Sequence, residues 1–194
     1  MHRIPWFALS ILVLIAAPAR AEIVFEEGLE YANPDDQHLK LNLARPAQTK
    51  EGDRLPAILC IHGGGFRAGD RKGWDAFCKK LADRGYVAVT VTYRLAPKYQ
   101  FPAAVHDVKA AVRWLRANAD KYHIDPDRIG AVGDSAGGHL ALFLGVTANV
   151  KEFDPPGDNA ATAPSTAVQC VVSFYGPSDF TKSYGKSVDA AEVL

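Results

Sequence analysis

A chain of 194 residues has the length of one domain rather than two. Hydrophobic residues make up 48% and charged residues 23%, the balance of an ordinary globular protein and not of a disordered or fibrous one. Lysine plus arginine equals aspartate plus glutamate at 22 each, with no long run of one sign, which argues against a nucleic-acid-binding footprint.

The first element is a leader. "MHRIPWFALSILVLIAAPARA" has a basic start at Arg3, an apolar run from Trp6 to Ala17, then Pro18 and a small-residue end at Ala19-Arg20-Ala21. That three-part pattern predicts a secretory signal peptide over residues 1–21, cut after Ala21, with a secreted or periplasmic mature chain over 22–194. The apolar run is shorter than the ~20 residues of a spanning helix, so no membrane association is expected after cleavage.

"EIVFEEGLEYA" and "HLKLNLARP" follow, the second alternating Leu39, Leu41 and Leu43 as a half-buried strand does. They predict an opening antiparallel pair. "LPAILCIHGGG" is a continuous apolar run ending in glycines, the signature of a strand covered on both faces. "GWDAFCKKLADRG" reads as a helix stopped at Gly85. "YVAVTVTYRLAP" reads as a second buried strand, running to Pro97.

"FPAAVHDVKAAVRWLRANADKY" places Val105, Val108, Val112 and Leu115 at helical spacing. "DPDRIGAVG" is a turn and a short strand, Ser135 lies just beyond it, and "AGGHLALFLGV" starts a helix. Residues 148–167 are loop-rich, and "VQCVVSFYG" is one more apolar strand, making six. Of the three cysteines, Cys60 and Cys170 are expected as buried packing residues, with Cys78 on a helix and no disulfide framework. Strands alternating with helices imply an α/β architecture, a mostly parallel sheet with helices on both faces. Its site is expected at the carboxyl ends of the strands, where both glycine motifs fall.

Gly133-Asp134-Ser135-Ala136-Gly137 fits the G-x-S-x-G elbow, in which a tight strand-to-helix turn pushes the serine hydroxyl into the cleft. His62-Gly63-Gly64-Gly65 ends a strand with backbone N–H groups able to approach a ligand closely. Acyl transfer needs such donors for its oxyanion, and the N–H groups of Gly64, Gly65 and Ala136 are the candidates. His62 is expected to brace the glycine loop, and Arg94 and Asp107 to form a structural ion pair. Asp134 is expected to be exposed and structural. No Lys-Ser/Thr follows the glycines, which argues against a phosphate-binding loop.

"HGGGFRAGDRKG", "TYRLAP", "FPAAVHDVKAAVRWL" and "GDSAGGHLALFLG" resemble the bacterial hormone-sensitive-lipase-type esterases of the α/β-hydrolase fold, nearest to a feruloyl-esterase-like branch that includes exported carbohydrate esterases. The resemblance runs over roughly Val24 to Phe180. It implies hydrolysis of carboxylic esters, short-chain acyl or carbohydrate esters among them, through an acyl-enzyme on Ser135. A serine peptidase of the same fold and a non-catalytic binding protein are the alternatives. No metal-ligand cluster is visible and no cofactor is expected. The sequence carries no sign of oligomeric state.

The base and the acid are harder to place. In this fold the order is serine, then Asp or Glu, then histidine. Only His139 follows Ser135, one turn down the same helix, where its imidazole is expected in packing. Asp154, Asp158, Asp179 and Asp189 follow too, and Asp179, just past a strand, is the best placed. The resemblance implies about eight strands, with the triad acid one strand later. The sequence therefore predicts that triad Asp and His lie beyond residue 194, and that the chain alone is an inactive N-terminal portion with an apolar edge strand.

Overall fold

The computed structural model describes residues 22–50, 52–157 and 162–180; the predicted signal peptide lies outside them. Its frame is β1 (Ile23–Ala32), β2 (Leu39–Pro46), β3 (Leu55–Ile61), α1 (Asp75–Ala82), β4 (Val87–Val91), α2 (Ala103–Ala117), α3 (Ala119–Tyr122), β5 (Ile124–Asp134), α4 (Ser135–Val146) and β6 (Cys170–Phe174). The described strands form one sheet in the order β1-β2-β4-β3-β5-β6. β1 and β2 pair antiparallel, as does β2 with β4, whereas β3 is parallel to both β4 and β5, and β5 to β6.

Alternation along the central strands sorts side chains to two faces. Leu59 and Ile61 of β3 join Val87, Val89 and Val91 of β4 in the main core, which α2 and α4 cover with Val105, Val108, Val112, Leu115 and Leu140. Cys60, Ala88 and Ala44 face the other way, against Cys78 and Ala82 of α1. Helices thus cover both faces, and the center of the sheet reads as unbroken apolar sequence for that reason.

Four details depart from the sequence expectation. The Leu39-Leu41-Leu43 strand is not half-exposed, because Asn42 and Ala44 are buried on its second face under α1. β4 ends at Val91, not near Pro97, and the chain turns there to carry Tyr93 and Arg94 inward. The predicted turn before β5 is instead a bulge within it, between the pairs Leu55↔Ile124 and Ala57↔Ile129. Cys170 is exposed, not buried, since β6 lies at the edge of the described sheet; Val172 and Phe174 beside it are 48% and 44% exposed.

Buried charge holds the second half of the fold. Lys109 of α2 is fully buried, and its ammonium donates to the Thr147 carbonyl at 2.7 Å and to Asp154 Oδ1 at 3.1 Å. A cation at the carboxyl end of α4 meets the negative end of the helix dipole.

Candidate active site

β5 runs into α4 at Ser135, whose φ is +48°. A side chain in the left-handed region stores on the order of 1–3 kcal/mol of strain and persists there only where its surroundings enforce it. The surroundings here are backbone. A Cβ on Gly137 would run into the Ile61 carbonyl oxygen and come within 2.6 Å of the His62 oxygen. The first turn of α4 therefore sits directly on the carboxyl end of β3, and Ser135 is set beside the loop that leaves β3.

That loop is the glycine motif. Gly64 and Gly65 have φ of +121° and +60°, conformations that glycine adopts without steric cost. The Gly63 N–H donates to Asp134 Oδ1 at 2.9 Å. Among the described residues, the N–H groups of Gly64 and Gly65 have no acceptor. The Ala136 N–H lies in the first turn of α4, where the helix itself offers no partner.

His62 is buried behind the loop. Its ring stacks on Tyr93 with centroids 4.4 Å apart, and Nδ1–H donates to the Gly63 carbonyl at 2.7 Å. The Tyr93 hydroxyl donates to the His62 carbonyl at 2.9 Å. Burial pushes the imidazole below its ordinary 6.5, only partly offset by the bond to Gly63. His62 thus packs behind the loop and is hydrogen-bonded to it at Gly63. His139 packs against Phe180, Phe143 and Phe66 with centroids at 4.6, 5.4 and 5.8 Å, and Nδ1–H donates to the Pro177 carbonyl at 2.8 Å. Its position matches the expectation of packing.

Asp154 is committed to Lys109, while Asp158 and Asp189 lie outside the described residues. Asp179 follows β6 at the same end of the sheet as Ser135. Arg94 and Asp107 form the expected ion pair, Nη2 to Oδ1 at 2.8 Å. Asp134 is not exposed as expected but half-buried, because it also accepts from the Trp74 indole N–H at 3.2 Å. Sequence reasoning missed Trp74 and Tyr93 as parts of the site; Tyr93 stands in the quoted "TYRLAP", and nothing near Trp74 in the sequence marks it.

His62, His106 and His139 are all held below 6.5, in each case chiefly by burial. At these three imidazoles the unfolded chain therefore binds more protons than the folded one as pH falls below 6.5, outnumbering the single buried carboxyl among the described residues, Asp107, that burial pushes the other way. Stability is expected to be full at pH 7 and to drop as pH falls from 6.5 toward 5. Urea unfolding midpoints at pH 7, 6 and 5 check this; a midpoint that rises with acidification contradicts it.

A family model described as BD-FAE matches residues 41–193. The chain belongs to the BD-FAE family. Among its curated relatives is the probable carboxylic ester hydrolase LipM of Mycobacterium tuberculosis, 37% identical over 128 residues, covering 66% of this chain and 29% of LipM. The ethyl acetate hydrolase of Pseudomonas putida is 37% identical over 144 residues, covering 73% of this chain and 45% of that protein. The apo form of Thermogutta terrifontis esterase 2 superposes with a TM-score of 0.75 at 29% identity, covering 94% of this chain and 65% of that one. The BD-FAE chain thus has the α/β-hydrolase fold, partial relative to its structural neighbours, and spans less than half the length of these two curated relatives.

Proposed function

We propose that this chain carries the nucleophile half of a serine carboxylesterase. The observation that carries the reading is Ser135 at positive φ on a strand-to-helix junction, beside a loop whose Gly64 and Gly65 N–H groups have no acceptor among the described residues. In this mechanism the Ser135 hydroxyl attacks the ester carbonyl, the N–H groups of Gly64, Gly65 and Ala136 stabilise the oxyanion, and the alcohol leaves. Water then hydrolyses the acyl-serine. The relatives named for carboxylic esters and for ethyl acetate support ester chemistry and a small acyl group. The apolar leader over residues 1–21 supports export and substrates outside the cytoplasm, with short-chain acyl or carbohydrate esters as the class.

The attack needs a base. A base takes the serine proton on Nε2, the nitrogen left free when Nδ1–H donates, but among the described residues no hydrogen bond joins Ser135 to His62, buried behind the loop, or to His139, whose ring is boxed by Phe66, Phe143 and Phe180. Residues 22–194 alone are therefore proposed to be inactive, for want of a histidine placed to serve Ser135.

A fluorophosphonate probe tests the nucleophile. Incubated with the full-length gene product, it is expected to add its mass to the tryptic peptide containing Ser135. Labelling confined to another serine, or unchanged in Ser135→Ala, would sink the reading.

A further inference from the structure

We propose that Asp134 is a positioning residue that holds the glycine loop in register with Ser135 and keeps the oxyanion donors free. The role rests on the reading of Ser135 as nucleophile. Asp134 is the residue before α4, where an aspartate ordinarily folds its carboxylate onto an N–H of the helix's first turn. Here it makes no capping hydrogen bond. Such a cap would occupy the N–H of Ala136 or Gly137, the first of which is an oxyanion candidate.

The carboxylate is turned across the cleft instead. Oδ1 accepts from the Gly63 N–H at 2.9 Å, 71 residues earlier in the chain, and from the Trp74 indole N–H at 3.2 Å. Trp74 is fixed in its turn by an edge-on contact with Phe77, centroids 5.1 Å apart. Gly63 is pressed against the elbow, so that a Cβ there would lie 2.6 Å from Asp134 Oδ2 and 3.1 Å from Ser135 Cβ. Two consequences follow from one side chain. The loop is tied to the residue adjoining the nucleophile, so this hydrogen bond joins the packing of α4 on β3 in setting its distance from the Ser135 hydroxyl. Of the loop's amides, that of Gly63 is spent on the tie, which leaves Gly64 and Gly65 for substrate.

The test uses the full-length gene product with a p-nitrophenyl ester, and rates are referred to serines titrated by a fluorophosphonate. Asp134→Ala frees the loop and is expected to lower kcat by about 10²–10³, the scale of one lost oxyanion donor. KM is expected to move by less than about threefold, because the lost contact acts mainly in the transition state. Asp134→Asn keeps an oxygen for Gly63 and Trp74 and is expected within about tenfold of wild type, a neutral bond being roughly half as strong as a charge-assisted one. A merely structural aspartate would lower the fraction of titratable serine and leave kcat per serine unchanged, which overturns the proposal. Loss in Asp134→Asn equal to that in Asp134→Ala overturns it as well. Should Asp134→Ala fail to fold, Trp74→Phe removes one of the two donors and is expected to lower kcat per titrated serine; an unchanged value counts against the role. Ester hydrolysis that survives Ser135→Ala overturns the nucleophile reading itself, and this role with it.

Discussion

Replacing Ser135 by alanine is expected to lower kcat for a p-nitrophenyl ester by about 10⁶ in the full-length gene product. The magnitude comes from the loss of the covalent route. In the proposed mechanism, the Gly64, Gly65 and Ala136 amides still polarise the ester carbonyl once the hydroxyl is gone, but only water remains to attack it. A fall of only about tenfold, with no acyl-serine detected, would point to a different nucleophile. The same substitution has a second expected consequence. Ser135 holds φ of +48°, where any side chain is strained, so Ser135→Gly is expected to stabilise the fold by about 1 kcal/mol while abolishing activity. Opposite signs for stability and rate at one residue distinguish a strained catalytic serine from a helix-capping one, whose removal would destabilise. Residues 22–194 alone are expected to hydrolyse no ester above the Ser135→Ala background, because among the described residues neither nearby imidazole, His62 nor His139, is hydrogen-bonded to Ser135.

The sheet's center was legible because burial on both faces writes an unambiguous pattern. "AILCI" and "VAVTV" became β3 and β4, and Val105, Val108, Val112 and Leu115 of α2 all face the main core. The elbow and the glycine loop were legible because few other constraints place glycines around a serine after an apolar strand. What stayed hidden depended on partners distant in sequence. Lys109 lies among the apolar positions of α2 and is as buried as those are, yet a hydropathy pattern assigns charge to solvent. Only the meeting with Thr147 and Asp154 makes its burial affordable, whereas the Arg94–Asp107 pair was read from the sequence. Cys170 fails in the opposite sense: its strand is apolar, but its place at the sheet edge exposes it. The Asp134–Gly63 tie is invisible for the same reason as the Lys109 contacts, since it joins residues 71 positions apart.

Removing Arg94 is the substitution outside the reacting groups with the largest expected effect. Its side chain is 8% exposed and that of Asp107 2%. The guanidinium meets Asp107 through Nε at 3.0 Å and Nη2 at 2.8 Å, and Asp35 through Nη1 at 2.5 Å. Arg94→Met leaves the Asp107 carboxylate buried with only the Arg94 backbone N–H, at 2.7 Å, to satisfy it. An unpaired buried charge of this kind costs about 3–5 kcal/mol, read as the shift of a urea unfolding curve. Asp107→Leu alone leaves the guanidinium with Asp35, whose side chain is 65% exposed, and with the Ala103 carbonyl, so its cost is expected to be smaller. The double variant Arg94→Met/Asp107→Leu is expected to recover most of the loss, because the desolvated charges are removed together. Strict additivity of the two single losses would show that the pair does not act as a unit. The pair also bears on the site. Arg94 adjoins Tyr93, which stacks on His62 and ties down its carbonyl. The turn after Val91 is thus clamped at one residue and braces the glycine loop at the residue before it. Arg94→Met is accordingly expected to lower kcat in molecules that remain folded, whereas Arg113→Met, on the same helix as Asp107 but away from the loop, is expected to leave kcat per folded molecule unchanged.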